Sequence, residues 1–165
     1  NHDTILSSAH RLFTKILKPV YATLRRMGYL NSGYIDDSCP QGDTFKECSC
    51  NVIATVHMMT NMGFTLHPDK SIFIPSQVLI FLGFILNSIN MSVSPTPEKI
   101  SKTKNSCNRL LQTCEPSIKF VSEVIGILVS ILPGVEYGQL HYRSLKTDKT
   151  HALKSKQGNY STMPP

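Results

Sequence analysis

Residues 29–39 read YLNSGYIDDSC and are followed by Pro40 and Gly42. The positions of glycine and proline predict a weak strand, a turn and a second weak strand. The turn carries Asp36 and Asp37, two adjacent carboxylates that repel each other. A sheet that holds such a pair at a tight turn either exposes it to water or neutralises it with a cation. Two interpretations therefore stay open, a solvated Asp-Asp turn and a cation-binding turn.

Amphipathic helices are predicted on both sides of this turn. In residues 12–27, apolar side chains recur at steps of three and four, which predicts a helix that is kinked or started near Pro19 and ends at Gly28. A second helix follows the turn, with Asp43 or Thr44 as its cap. The residues predicted on its buried side are Val52, Ile53, Val56, Met59 and Met62.

The remainder of the chain predicts strands and then helices. Dense β-branched and aromatic residues between prolines predict strands at residues 64–66, 71–74, 78–87 and 89–93. A polar helix is predicted from Pro97 to about Cys114, and a second helix from its cap Ser117 to Ile131. After about Lys146 the polar composition predicts disorder. The predicted fold class is α+β.

Composition indicates a globular intracellular protein. Of 165 residues, 41% are hydrophobic and 17% charged, enough for one domain with a core. The five cysteines lack the paired spacing of a zinc ribbon, which favours reduced thiols in the cytosol or nucleus. The longest apolar runs are too short to span a bilayer, so no membrane partner is expected.

The net charge of +6 is unevenly distributed. Residues 1–97 hold seven basic and six acidic side chains, and residues 98–165 hold ten and five. Such an excess suits a phosphate-backbone partner, but an excess this mild is also common on soluble surfaces. Charge alone leaves both interpretations open.

Five stretches occur in a fixed order along the chain. They are residues 7–20 (SSAHRLFTKILKPV), residues 34–37 (YIDD), Met62-Gly63-Phe64 with Asp69-Lys70-Ser71, residues 81–84 (FLGF), and residues 125–143. In this order the chain resembles the reverse transcriptases of retrotransposons, most closely those of DIRS-type elements that integrate by a tyrosine recombinase. The resemblance covers about residues 6–145 and corresponds to the late palm, thumb and connection of such an enzyme.

The resemblance implies roles for the YIDD residues. Asp36 would be the metal-ligating carboxylate and Asp37 its supporting neighbour, also at the metal. Two Mg²⁺ ions would lower the pKa of the primer 3′-hydroxyl and neutralise charge on the pyrophosphate. Tyr34 would lie by the minor groove of the primer-template. The implied partners are an RNA or DNA primer-template and deoxynucleoside triphosphates.

Three other segments receive roles from the same resemblance. The small residues that would line the nucleotide pocket are Ser7, Ser8 and Ala9. Lys70 would pair with or protonate the leaving pyrophosphate, although a lysine after Pro-Asp is otherwise an ordinary exposed side chain. The residues that would grip the primer end are Phe81, Leu82, Gly83 and Phe84, and three of these also fit core packing. Lys102, Lys104 and Arg109 fit either a phosphate contact or a solvated helix face.

Several features depart from the family pattern. The early palm strand that supplies another catalytic carboxylate, and the fingers, have no counterpart before Ser7, and Asn1 stands where an initiator Met is expected. Asn31, Ser32 and Gly33 stand where apolar strand residues are expected, and Pro40 is expected to break the ladder. We therefore expect no detectable polymerase activity from this chain alone.

The expected organisation is a partial palm in residues 1–94, thumb and connection helices in residues 95–145, and a disordered tail in residues 146–165. The ancestral activity implied by the resemblance is RNA-directed DNA synthesis. Two alternatives stay open. One is a non-catalytic nucleic-acid-binding remnant of a transposable element, and the other is an inert pseudogene product that folds poorly.

Overall fold

The computed structural model describes the backbone of residues 2–155 and the side chains of residues 11–154. It contains helices and two small antiparallel sheets, which agrees with the predicted α+β class. The chain divides into two compact units, residues 1–76 (unit 1) and residues 77–165 (unit 2). The organisation with a boundary after residue 94 stays a prediction. No described helix is long and apolar enough to cross a membrane.

Unit 1 has the order helix, strand, strand, helix. Its elements are α1 (His2–Arg26), β1 (Leu30–Tyr34), β2 (Asp37–Gln41), α2 (Phe45–Asn61) and a 3-10 turn at Pro68–Lys70. The core forms where α1 meets α2, from the buried side chains of Leu17, Val20, Leu24 and Met59. Phe13 and Phe64 add an edge-to-face ring contact with centroids 5.6 Å apart. Both helices also contact the hairpin, α1 through β1 and α2 through β2.

Both helices of unit 1 differ in detail from their predictions. Pro19 lies inside α1, so the predicted alternative of a helix start at Pro19 is wrong. The Pro19 side chain is exposed, on a face where a freed carbonyl can reach water. Thr44 is the cap of α2, and it forms a capping box with Glu47. Ile53 is 68% exposed, so its predicted burial is wrong.

The face of α2 that is buried was predicted from apolar residues but is formed mainly by polar ones. The buried side chains are Asn51, Thr55 and Met59, spaced four residues apart on one stripe. Met62 is exposed, and Val52 and Val56 are only partly buried. The apolar periodicity therefore predicted burial of a face that lies next to the one that is buried.

Two predicted strands of unit 1 are absent from its described residues. Residues 64–66 and 71–74 lie outside helix and strand, since neither segment has a ladder partner. Phe64 and Leu66 instead pack against the core of unit 1. Their apolar character reflected burial and not strand formation.

Unit 2 begins with a three-stranded antiparallel sheet in the order β3 (Val78–Phe81), β4 (Phe84–Asn87) and β5 (Ser92–Pro95). The single strand predicted at residues 78–87 is a hairpin, because Leu82 and Gly83 both adopt a positive φ. The side-chain oxygen of Asn87 accepts hydrogen bonds from the backbone N–H groups of Ile89 and Asn90. This Asx turn explains why β5 starts at Ser92 and not at residue 89.

The helices of unit 2 follow as α3 (Pro97–Gln112), α4 (Ile118–Ile131), α5 (Gly138–His141) and α6 (Arg143–Ser155). Ser117 caps α4 as predicted, through its side-chain oxygen and the Phe120 N–H. The buried side chains of α4 are Ile118, Val121, Val124, Ile125 and Ile131, and α3 and α6 both pack on this helix.

The predicted disorder after Lys146 differs from the structure over residues 146–155. These residues belong to α6, where Ala152 is buried and Leu153 partly buried. Contact with α4 supplies apolar burial that the polar composition of the segment does not reveal. Residues 156–165 of the predicted tail lie outside the described residues.

Candidate active site

The strands β1 and β2 form a hairpin that presents the YIDD turn (residues 34–37). Tyr34 pairs with Asp37, and the ladder continues through five pairs to Leu30 opposite Gln41. Pro40 pairs with Asn31 inside this ladder, so the predicted break at Pro40 is wrong. Each strand of a two-stranded sheet is an edge, where proline is tolerated.

The tip of the YIDD turn is strained. Ile35 has a φ of +54°, in the left-handed region that β-branched residues rarely adopt. This conformation costs a non-glycine residue about 1–2 kcal/mol. Two-residue hairpin loops require a positive φ at their first position or at both, because only that twist matches the flanking strands. The surrounding hairpin therefore holds Ile35 in place so that Asp36 and Asp37 follow at the tip.

A buried amide network ties the hairpin to α2. Asn51 is 0% exposed, and its Nδ2 donates to Leu30 O at 2.7 Å and to Gln41 O at 2.8 Å, one carbonyl on each strand. Its Oδ1 accepts from Asn31 Nδ2 at 2.8 Å and from Thr55 Oγ1 at 3.1 Å. We name Asn31, Asn51 and Thr55 the amide network. It satisfies the polar groups at the base of the hairpin, as burial requires.

Sequence reasoning missed the amide network. It treated Asn31 as a departure from an apolar strand, and it did not consider Asn51 or Thr55. A signal was present, because two polar residues four apart interrupt the apolar stripe of a helix. The polar strand residue and these helix residues are partners, and together they position the hairpin that bears the carboxylates.

The helix α1 contacts the hairpin through Tyr21 and Gly33. A Cβ atom on Gly33 would lie 2.5 Å from the ring of Tyr21, so only glycine allows this approach. Ser38 pairs with Gly33 across the ladder. Within the described part of the chain, Tyr21 Oη and Ser38 Oγ are buried without a hydrogen-bond partner. Where α1 meets the hairpin, the packing is thus close, but two buried hydroxyl groups lack hydrogen-bond partners.

The carboxylates of Asp36 and Asp37 are both exposed. Residues 11–154 contain no group of three or more His, Cys, Asp or Glu side chains that could hold a metal ion. Mg²⁺ is commonly bound by one or two carboxylates, with water and substrate phosphates completing its octahedron. Two adjacent carboxylates at a hairpin tip fit that kind of shared coordination, and they do not form an all-protein cage.

Tyr34 lies beside the carboxylates. It is directly opposite Asp37, and side chains of opposite residues project to the same face of a hairpin about 5 Å apart. The Tyr34 side chain is 57% exposed. An aromatic ring and a carboxylate are therefore available to a ligand on one face.

The other predicted residues of unit 1 lie in α1 and in the 3-10 turn. Lys70 ends the turn at Pro68–Lys70 and is exposed. Ser7, Ser8 and Ala9 lie in the N-terminal half of α1, and their side chains are outside the described residues.

The predicted primer-gripping residues form the tip of the first hairpin of unit 2, the FLGF turn (residues 81–84). Phe81 pairs with Phe84, and Leu82 and Gly83 have φ values of +52° and +75°. Phe84 is 8% exposed and belongs to the core, whereas Leu82 is exposed at the tip. Leu82 is thus the exposed residue of this turn, and Phe81 and Gly83 are partly buried.

The basic residues predicted on the thumb helix lie on α3. Lys102, Lys104 and Arg109 are all exposed, and the Arg109 guanidinium lies 5.3 Å from the centre of the Phe120 ring. This cation–π contact fixes the arginine against α4 while leaving its edge accessible. The two lysines keep the character of a solvated face.

Comparisons with family models, with curated proteins and with solved structures found no match for this chain.

Proposed function

We propose that the chain is a fragment of a reverse transcriptase and that the YIDD turn is the metal-binding part of an RNA-directed DNA polymerase site. The observation that carries the proposal is the strained two-residue turn that exposes Asp36 and Asp37 on a hairpin contacted by both helices. Strain at an exposed, firmly anchored turn is typical of functional sites. The amide network and the Tyr21–Gly33 contact supply the anchoring.

The chemistry proposed for this site is nucleotidyl transfer onto a primer 3′-hydroxyl. Bound Mg²⁺ would stabilise charge on the attacking and leaving oxygens. Asp36 and Asp37 would ligate the ion, Tyr34 would contact the primer-template, and Lys70 would pair with the pyrophosphate. A two-metal centre needs a further carboxylate beyond these two, so we expect the chain alone to bind metal and nucleic acid without extending a primer.

Terbium luminescence tests the metal site directly. Tb³⁺ replaces hard divalent cations and emits when a nearby tyrosine transfers energy to it; the chain has no tryptophan to compete. We expect an emission signal that Mg²⁺ displaces and that Asp36→Asn combined with Asp37→Asn abolishes. Asp69→Asn is the matched control, since Asp69 is an exposed aspartate on the 3-10 turn. A signal that survives in the double variant would refute metal binding by this turn.

Primer extension on an RNA template with Mg²⁺ tests the polymerase assignment, run on this chain and on Asp36→Ala in parallel. Extension that Asp36→Ala abolishes would establish the activity and would make the expected inactivity wrong. If neither protein extends the primer, the affinity for a primer-template decides whether the polymerase assignment holds. An affinity raised by Mg²⁺ and a complementary deoxynucleoside triphosphate supports the proposal, and an affinity indifferent to both contradicts it.

A non-catalytic nucleic-acid-binding function is the second candidate, favoured by the basic excess of residues 98–165 and by the exposed basic side chains of α3. Binding of this kind rests on counterion release, so affinity would fall at least about tenfold between 50 and 200 mM salt. It would show no response to Mg²⁺ or nucleotide beyond ionic strength. Lys102→Glu combined with Arg109→Glu would weaken it, whereas Asp36→Ala would not.

A further inference from the structure

The start of α3 bonds both backbone carbonyls at the tip of the FLGF turn. Leu82 O accepts a hydrogen bond from Lys99 Nζ at 3.2 Å, and Gly83 O accepts one from the backbone N–H of Thr96 at 3.1 Å. Thr96 is buried, and its side chain caps α3 by accepting from the backbone N–H of Lys99. The turn and the helix cap are therefore parts of one hydrogen-bonded unit, which we name the turn clamp (Leu82, Gly83, Thr96 and Lys99).

Lys99 also packs on the turn through its stem and its charge. Its ammonium lies 3.9 Å from the centre of the Phe84 ring, within cation–π range. A Cβ atom on Gly83 would lie 3.2 Å from Lys99 Cδ, tighter than ordinary contact. Burial lowers the pKa of Lys99. A lysine on a solvated helix face would have none of these contacts, and Lys102 on the same helix is exposed.

We propose that Lys99 is a positioning residue that holds the Leu82–Gly83 tip in the conformation that receives the end of a primer strand. The inference rests on the proposed function, and it adds a residue to which sequence reasoning gave no role. Lys99 acts through the tip and not on the nucleic acid, because its ammonium is already engaged by Leu82 O and the Phe84 ring. The ligand it serves is a duplex with a recessed 3′ end.

The bonding pattern predicts which change would loosen the tip. Lys99→Met keeps a stem that can cover Gly83 and Phe84, but it leaves Leu82 O without its charged donor. A hydrogen bond to a charged group is strong enough that its loss would speed opening of the tip by about tenfold. Lys99→Arg keeps a cation over the ring and a donor for the carbonyl, so it should retain most of the wild-type behaviour.

The test measures two quantities on the full chain. The first is the ratio of affinities for a DNA primer on a longer RNA template, with a recessed 3′ end, and for a blunt duplex of the same sequence. The second is hydrogen exchange of the Thr96 amide, whose bond to Gly83 O reports closure of the clamp. Lys102→Met, one helical turn away and exposed, is the matched control for the lost charge.

We expect Lys99→Met to lower the preference for the recessed end and to speed Thr96 exchange, each by about tenfold. Lys99→Arg should restore both, and Lys102→Met should change both affinities together and leave their ratio intact. A preference that survives Lys99→Met, or Thr96 exchange that does not change, overturns the role of Lys99. A wild-type chain with no preference for the recessed end overturns instead the proposed function on which this role depends.

Discussion

Asn51 uses both ends of its side-chain amide to hold the hairpin of unit 1. Its two donors reach one carbonyl on each strand, and its oxygen accepts from Asn31 and Thr55. An apolar residue of the same size could fill the space but could not bond the carbonyls of Leu30 and Gln41. Because the site is fully buried, each group left unpaired there would cost free energy.

Asn51→Ala should therefore destabilise the protein by about 2–4 kcal/mol, the sum of a small cavity and several unpaired polar groups. Urea unfolding followed by circular dichroism measures this change. Asn61→Ala is the control, since Asn61 is exposed on the same helix and should cost less than about 0.5 kcal/mol. Equal losses in the two variants would show that the amide network contributes little.

Gly33→Ala should also destabilise the protein, because the added methyl group would meet the Tyr21 ring at 2.5 Å. We expect a cost of about 1–3 kcal/mol, typical of overpacking. Gly126→Ala is the matched control: no atom lies within 4 Å of its Cβ position, and replacing a glycine inside a helix stabilises by about 0.5–1 kcal/mol. Thermal unfolding of both variants would test the opposite signs.

The cysteines should differ in reactivity. Burial raises the pKa of Cys39 and of Cys48, so less of each thiol is ionised at neutral pH, and the neighbouring Cys48 raises the pKa of Cys39 further. Only the thiolate is nucleophilic. Iodoacetamide should therefore modify the exposed Cys50 and Cys114 first, and modification of Cys39 should still accelerate as the pH rises past the ordinary cysteine value of 9.0. Mass spectrometry after timed labelling would reveal the order, and preferential labelling of Cys39 at pH 7 would contradict it.

Among the elements, the hairpin turns show how much strain the fold accepts. Ile35, Leu82 and Met91 each have a positive φ at or next to a strand end, although none is glycine. The YIDD and FLGF turns also contain residues with proposed functions. Met91 lies in the connection between β4 and β5 and is 86% exposed. A substitution there changes the backbone strain with little change in side-chain packing.

Met91→Gly should stabilise the protein by about 1 kcal/mol, since glycine adopts this backbone conformation without steric cost. Ile89→Gly is the matched control, because Ile89 lies in the same loop, is 64% exposed and does not have a positive φ. That change should destabilise by about 0.5–1 kcal/mol through the entropy of the unfolded chain. Denaturant midpoints of the two variants would separate the effects, and a shift in the same direction for both would contradict the strain argument.

The secondary-structure elements were predicted well from sequence wherever they depend on a few neighbouring residues. The caps Thr44 and Ser117, and the two strands around the YIDD turn, follow from side chains close in sequence. The strands expected at residues 64–66 and 71–74 depend on partners that the sequence does not specify. The residues that anchor the YIDD turn and the FLGF turn were missed for the same reason. Asn51 and Lys99 bond groups 21 and 17 residues away in the sequence. The roles of Asp36 and Asp37 stay predictions.

At the scale of the whole molecule, both units contain buried side chains within residues 11–154. In unit 1 they lie between α1 and α2, and in unit 2 most lie on α4. Small cores of this kind are marginal in isolation. The alternative of an inert product that folds poorly predicts instead that these buried clusters do not form in solution.

Far-ultraviolet circular dichroism tests that alternative directly. We expect the double minimum of a helix-rich protein, because helices account for most of the described residues, and a cooperative loss of signal on heating. Leu24→Ala and Ile118→Ala, each in a fully buried position, should each cost about 2–5 kcal/mol. A coil spectrum for the wild-type chain would favour the inert product and would remove the basis for a site.

The amide network also fixes the register of β1 relative to α2. Because side chains alternate across a strand, a slip of β1 by a single residue would turn Asn31 outward and bring Ser32 to the helix. The same slip would reverse the faces toward which Tyr34 and the aspartates point. The number of residues between the buried Asn31 and the turn thus decides the direction in which the carboxylates point. A one-residue insertion between Asn31 and Tyr34 would misdirect them even if the turn itself formed unchanged.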